Sequence, residues 1–205
     1  MRKLVYWVFL FSNIIWAQTP LNSEEAAKFK AKVKTKATQT TTISSNFTQY
    51  KHLDFLSNDI ITKGQLTFKS PNMVKWEYTD PFSYYVIFKG ETLYINDDGK
   101  KNEVNIGSSK MFKQLNQLIV KSVKGDMFDD SMFNISYFKE KKQIQVHFIF
   151  KNEQYLEYLK AFHITFSEEG DVEEVKMIEQ SDDFTKIVFK NRQLNKPIPD
   201  AFFAN

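Results

Sequence analysis

Cysteine is absent from this chain of 205 residues. That absence excludes disulfide frameworks, thiolate metal sites, cysteine nucleophiles and a thioether-linked lipid anchor. Glycine (6) and proline (5) are scarce and 42% of residues are hydrophobic, which argues against disordered, collagen-like or low-complexity structure. The three histidines, His52, His147 and His163, are scattered and no HExxH pair occurs, so neither a metal site nor a cofactor is expected. The chain also lacks a GxSxG elbow, a phosphate-cradling glycine loop and a dinucleotide fingerprint. Asp97, Asp98, Asp129, Asp130, Asp182 and Asp183 fall in turn-like, polar contexts where solvated acids are ordinary. A hydrolase acting on acyl lipids would need a nucleophile and a base that these residues do not supply, so no enzymatic activity is expected. Charge of one sign is missing too: 28 basic against 25 acidic residues give +3, too even a balance to call for nucleic acid.

Long apolar runs are missing with one exception. Residues 1–17 read MRKLVYWVFLFSNIIWA, a basic start at Arg2 and Lys3 followed by apolar residues that Ser12 and Asn13 interrupt. A membrane-crossing helix needs about 20 apolar residues, so the run reads as a signal peptide cleaved after Ala17. Its loss would take Arg2 and Lys3 away and leave residues 18–205 near neutrality, as one soluble, exported domain, expected to be monomeric.

What the chain does carry is periodicity. Asn22 followed by Glu25 is a capping-box pattern, after which Ala26, Phe29, Val33 and Ala37 share a helical face, predicting a helix over about 23–37. The lysines on its remaining surface read either as a solvated face or as a basic docking patch. From Thr41 the period changes to two. Val74, Trp76 and Tyr78 alternate with Lys75, Glu77 and Thr79, and Asn96-Asp97-Asp98-Gly99 is a hairpin signal. Residues 109–123 return to helical spacing through Phe112, Leu115, Leu118 and Ile119. After Gly125, strands resume to the end of the chain. His147, between Val146 and Phe148, should face outward. The fold class is α+β, mainly antiparallel, with one strongly curved sheet.

Twenty Phe, nine Tyr and three Trp are a heavy aromatic load. Any single ring is most simply read as core. A curved sheet whose concave face carries Phe47, Leu66, Phe68, Trp76, Tyr78 and Phe148 nevertheless needs covering, and two helices cover little of it. A ligand would fill the remainder.

Several segments, taken in order, resemble the periplasmic outer-membrane lipoprotein carrier (LolA-like) family. They are Ser45-Asn46-Phe47-Thr48-Gln49, Gly64 through Pro71, Asn72 through Pro81, Gly90-Glu91-Thr92-Leu93-Tyr94-Ile95, and Asp183 to Ile187 followed by Asn195 to Phe203. The resemblance implies an incomplete β-barrel with helices lidding a hydrophobic cavity for acyl chains. By position, Phe47, Leu66, Phe68, Trp76, Tyr78, Phe88 and Phe148 would line the sheet side, and Phe112, Leu115, Leu118 and Ile119 the lid. It further implies a periplasmic carrier that takes acylated lipoproteins from an inner-membrane lipoprotein-releasing transporter to the outer membrane, with an outer-membrane receptor as acceptor. The alternative is a carrier of a different hydrophobic cargo, a free lipid or polyene-type pigment. Members of that family commonly carry Arg just before the turn proline, where it helps to hold the lid closed; here that position is Ser70.

Overall fold

The computed structural model describes residues 18–90, 92–105, 125–156 and 159–204. The run expected to be a signal peptide and the helix expected over 109–123 lie outside them.

The helix α1, Ser23–Thr38, forms where the capping pattern places it. Asn22 Oδ1 accepts from the amides of Glu24 and Glu25 at 3.0 Å each, and the Asn22 amide donates to Glu25 Oε2 at 2.9 Å. Two otherwise orphaned amides and the cap's own N–H are thereby satisfied. Ala26, Phe29 and Val33 turn to the protein and are buried, as the 3–4 residue spacing requires.

Among the described residues, twelve strands form a single antiparallel sheet with spatial order β1-β8-β9-β10-β11-β12-β2-β3-β4-β5-β6-β7. The first meander comprises β2 (Thr42–His52), β3 (Ile60–Lys69), β4 (Met73–Asp80), β5 (Tyr84–Lys89), β6 (Thr92–Asp97) and β7 (Lys100–Asn105). The second comprises β8 (Phe133–Glu140), β9 (Gln143–Phe150), β10 (Ala161–Ser167), β11 (Val172–Ile178) and β12 (Phe184–Leu194), with the short β1 (Thr19–Pro20) beside β8. A one-turn helix α2, Glu153–Leu156, separates β9 from β10. The meanders are joined where β12 pairs β2, with Ile187 opposite Gln49 and Phe189 opposite Phe47. The β6–β7 hairpin turns on Asp98 and Gly99, both at positive φ, the requirement of a two-residue loop that matches strand twist.

Each meander builds its own core on the concave face. In the second, Phe29 and Val33 of α1 cover Phe133, Val146, Phe148, Phe162, Ile164 and Phe166. In the first, Ile43, Phe68, Val74, Phe88 and Leu93 lie in one row across neighbouring strands. Curvature has a visible source at Gly64, opposite Phe47 on β2 and beside a register shift in the β3–β4 ladder. A Cβ there would lie 1.9 Å from the Glu77 carbonyl oxygen and 2.6 Å from Phe47 Cζ. Only a residue without a side chain lets the bulged strand and the ring close in so far.

The convex face is not bare. Ile87 is fully buried there, and the 3₁₀ turn Asp200–Phe203 packs on β4 with Phe203 buried. Lys69 Nζ fastens this turn by donating to the Ile198 carbonyl (2.6 Å) and Asp200 Oδ1 (2.5 Å).

On the same outer side, His147 and His163 stack with ring centroids 3.6 Å apart. His147 takes the outward position that its flanking apolar residues imply. Burial lowers the affinity of both rings for protons. For His163, burial, the neighbouring His147 and then Lys176 push the pKa down to about 4 from the ordinary 6.5. The unfolded chain takes up the His163 proton near 6.5 and the native chain only near 4. The contribution of His163 is therefore whole above 6.5 and is lost as the pH falls from 6.5 through 4. Urea midpoints measured at pH 7.5 and pH 4.5 are expected to differ less in His163→Gln than in the unaltered protein; equal differences would show that the stacked rings titrate normally.

Candidate functional site

Among the described residues, the two concave-face cores do not meet. Between them, above the β12–β2 join, lies a cavity of about 390 Å³, within the roughly 300–1,000 Å³ span of small-molecule sites. Its floor is Ile187 and Phe189 of β12 with Ser45 and Gln49 of β2. One wall comes from the first meander: Leu66, Trp76, Tyr78, Val86 and Phe88. The facing wall comes from the second, including Phe162, Ile164, Val175 and Met177, and Val33, Lys36 and Ala37 of α1 close one side.

Of the residues expected to line the sheet side, Leu66, Trp76, Tyr78 and Phe88 do so. Phe47, Phe68 and Phe148 share the concave face but are enclosed by neighbours. Phe47 lies 4.3 Å from Trp76 and 5.4 Å from Tyr78, ring to ring, and so backs the wall. Phe68 belongs to the first core and Phe148 to the second. Phe112, Leu115, Leu118 and Ile119 lie outside the described residues. Ser70 is exposed in the β3–β4 turn, its amide donating to the Thr41 carbonyl at 2.8 Å.

The polar groups of the cavity fall into two sets. In the wall, Tyr78 Oη donates to Gln49 Oε1 at 3.0 Å, and burial raises the phenol pKa. Trp76 Nε1 is enclosed, and its approach to the Tyr78 hydroxyl offsets part of that rise. At the rim, Lys36 Nζ donates to Asp171 Oδ2 at 2.5 Å, and Arg192 Nη1 stands 3.6 Å from Asp171 Oδ1 and 3.5 Å from the Val172 carbonyl. Burial lowers the pKa of Arg192, against the pull of Asp171. No group of three or more His, Cys, Asp or Glu side chains able to hold a metal occurs among the described residues. The interior is thus apolar space with a cationic rim and can solvate a hydrocarbon.

Sequence periodicity named one wall and missed the floor and facing wall, although Val175, Met177, Ile187 and Phe189 alternate in the same manner. Arg192 had no such signal. The ladder shifts register between Lys190 and Gln193, and Asn191 takes φ +55. This reverses the parity of β12, so that Arg192 joins Ile187 and Phe189 on the concave side.

A family model described as outer membrane lipoprotein carrier protein LolA matches residues 38–205. The chain belongs to this family. No curated protein matches the chain. Among solved structures, the complex of MucA and MucB from Pseudomonas aeruginosa aligns at 9% identity over 88% of this chain and 60% of that one, with a TM-score of 0.50, a likeness of fold alone. A LolA superfamily protein from Nitrosomonas europaea aligns at 8% identity over 88% and 97% of the two chains, with a TM-score of 0.46. LprF from Mycobacterium bovis aligns at 9% over 88% and 97%, with a TM-score of 0.45. The LolA match spans both meanders, and hence every sheet wall of the cavity. Among the described residues no helix is long and apolar enough to cross a membrane.

Proposed function

We propose that the chain is a periplasmic carrier that holds the acyl chains of lipoproteins between the two half-cores, receiving them from an inner-membrane transporter and passing them to the outer membrane without catalysis. The observation that carries this reading is the cavity of about 390 Å³, walled by aliphatic and aromatic side chains from both meanders. Acyl burial is worth about 0.8 kcal/mol per CH₂, so bare passage of a multiply acylated protein through water is prohibitively slow. An apolar cavity lowers that barrier. Delivery then needs only weaker binding here than at the acceptor.

Mass spectrometry of the protein isolated from its native envelope, under conditions that preserve complexes, should find it with acylated polypeptides. Free lipid or pigment in their place would overturn the lipoprotein assignment and leave a carrier of another cargo. Filling the cavity supplies a second test. Val175 lies on β11 between Ile164 and Ile187 and faces the void. Val175→Trp should lower affinity for the uncharged dye N-phenyl-1-naphthylamine by about tenfold or more, about 1.4 kcal/mol, with little change in the urea midpoint. Undiminished dye binding in the folded variant would place the dye elsewhere.

A further inference from the structure

The rim of the cavity is out of electrical balance. Lys36 and Arg192 are the charged side chains among the described residues that line it, and both are cations. They share one carboxylate, Asp171, and the sharing is unequal. Lys36 holds it at 2.5 Å, whereas Arg192 stands 3.6 Å from its other oxygen and 3.5 Å from the Val172 carbonyl. Among the described residues, Arg192 Nε is enclosed without a hydrogen-bond partner, as is Asp171 Oδ1. A buried guanidinium N–H left unpaired is costly and uncommon, and one carboxylate cannot neutralise two cations. Arg192 points inward because of the register shift before it, a local irregularity in an otherwise regular ladder.

The charge is confined to one end. Arg192 lies level with Ser44 and Ser45 of β2, and Gln49 sits four or five residues further along that strand, about 13–16 Å at strand rise. Around Gln49 the wall is neutral and aromatic, with Tyr78 and Trp76. Lys36, Arg192 and Asp171 are each about a quarter exposed, so the cationic end meets solvent.

From this asymmetry we infer that the cavity takes an amphiphile with an anionic head, a carboxylate or phosphate docking between Arg192 and Lys36, its hydrocarbon tail running toward Trp76 and Tyr78. A guanidinium fork suits two oxygens of one head. The inference rests on the cavity being the cargo site; the acyl chains of a lipoprotein end in neutral ester and amide links, so it assigns the site a free anionic lipid as a further cargo, held tail-inward with its head at the rim.

The test compares three probes on the full exported chain at pH 7.5: cis-parinaric acid, its methyl ester, and the uncharged dye N-phenyl-1-naphthylamine. The acid should bind about tenfold more tightly than the ester, a difference of about 1.4 kcal/mol, and dodecyl phosphate should displace it. In Arg192→Gln the preference should fall to about twofold or less, with ester and dye binding unchanged. Arg192→Lys, which keeps the charge, should retain much of it. Equal affinity for acid and ester in the unaltered protein would overturn the inference and leave the carrier reading intact. An equal loss of all three probes in Arg192→Gln would assign the side chain to packing and overturn it too. Binding of none of the three by the unaltered protein would remove the cargo site itself, and the inference with it. Displacement of parinaric acid by dodecanoate but not by dodecyl phosphate would restrict the head to carboxylates.

Discussion

Replacing Gly64 by alanine is expected to leave little folded protein. The added methyl group would sit 1.9 Å from the Glu77 carbonyl oxygen, itself part of the β3–β4 ladder, and 2.6 Å from the tip of the Phe47 ring. The ring can yield somewhat; the carbonyl cannot move without opening the ladder at the register shift that bends the sheet. A clash with backbone at a buried, tightly curved position belongs among the severe classes of substitution, about 4 kcal/mol or more, against a total stability of roughly 5–15 kcal/mol. Gly90 provides the control. Among the described residues no atom beyond its chain neighbours lies within 4 Å of a Cβ there, and its positive φ makes Gly90→Ala worth only about 1 kcal/mol. Soluble yield and urea midpoints of the two variants decide the matter. A Gly64→Ala protein within about 1 kcal/mol of its parent would show that the sheet bends without this close approach.

Truncation of Phe148 to alanine is expected to cost about 3–5 kcal/mol, the usual toll for removing a buried aromatic ring, and to leave dye uptake per folded molecule nearly unchanged. Phe148 is wholly buried. It stacks on Phe162 at 4.7 Å and meets Phe133 edge-on at 5.6 Å, so its loss opens a hole inside the second core. Leu66, half-buried on the wall, should show the reverse balance in Leu66→Ala: a smaller stability loss and a changed dye affinity. Equilibrium unfolding of both variants, with binding normalised to the folded fraction, separates the two roles. A large loss of dye binding in Phe148→Ala at full folding would return that ring to the binding surface.

These two residues mark how much the amino-acid order discloses. Alternation assigned both Phe148 and Leu66 to the concave face, because side chains in a strand change sides at every step. It could not say that Phe148 meets Phe133 and Phe162 whereas Leu66 meets empty space, since that depends on which strands become neighbours across the whole sheet. The capping box at Asn22 and Glu25 and the Asp98-Gly99 hairpin were legible because each rests on contacts within a few residues. Arg192 was illegible for the opposite reason: one extra residue in β12, taken up at Asn191, reverses the parity of the remainder of the strand. The covering of β4 on the convex side depends likewise on the 3₁₀ turn around Phe203, more than a hundred positions away in the chain.

The two half-cores are tied together by the β12–β2 ladder, and the side chains facing each other across the gap do little of the holding. Container and contents are thereby decoupled. Residues bordering the void can change size or polarity at modest thermodynamic expense, while those sealed within either half cannot. Such a scaffold is free to drift in the guest it accepts, with little consequence for whether it folds.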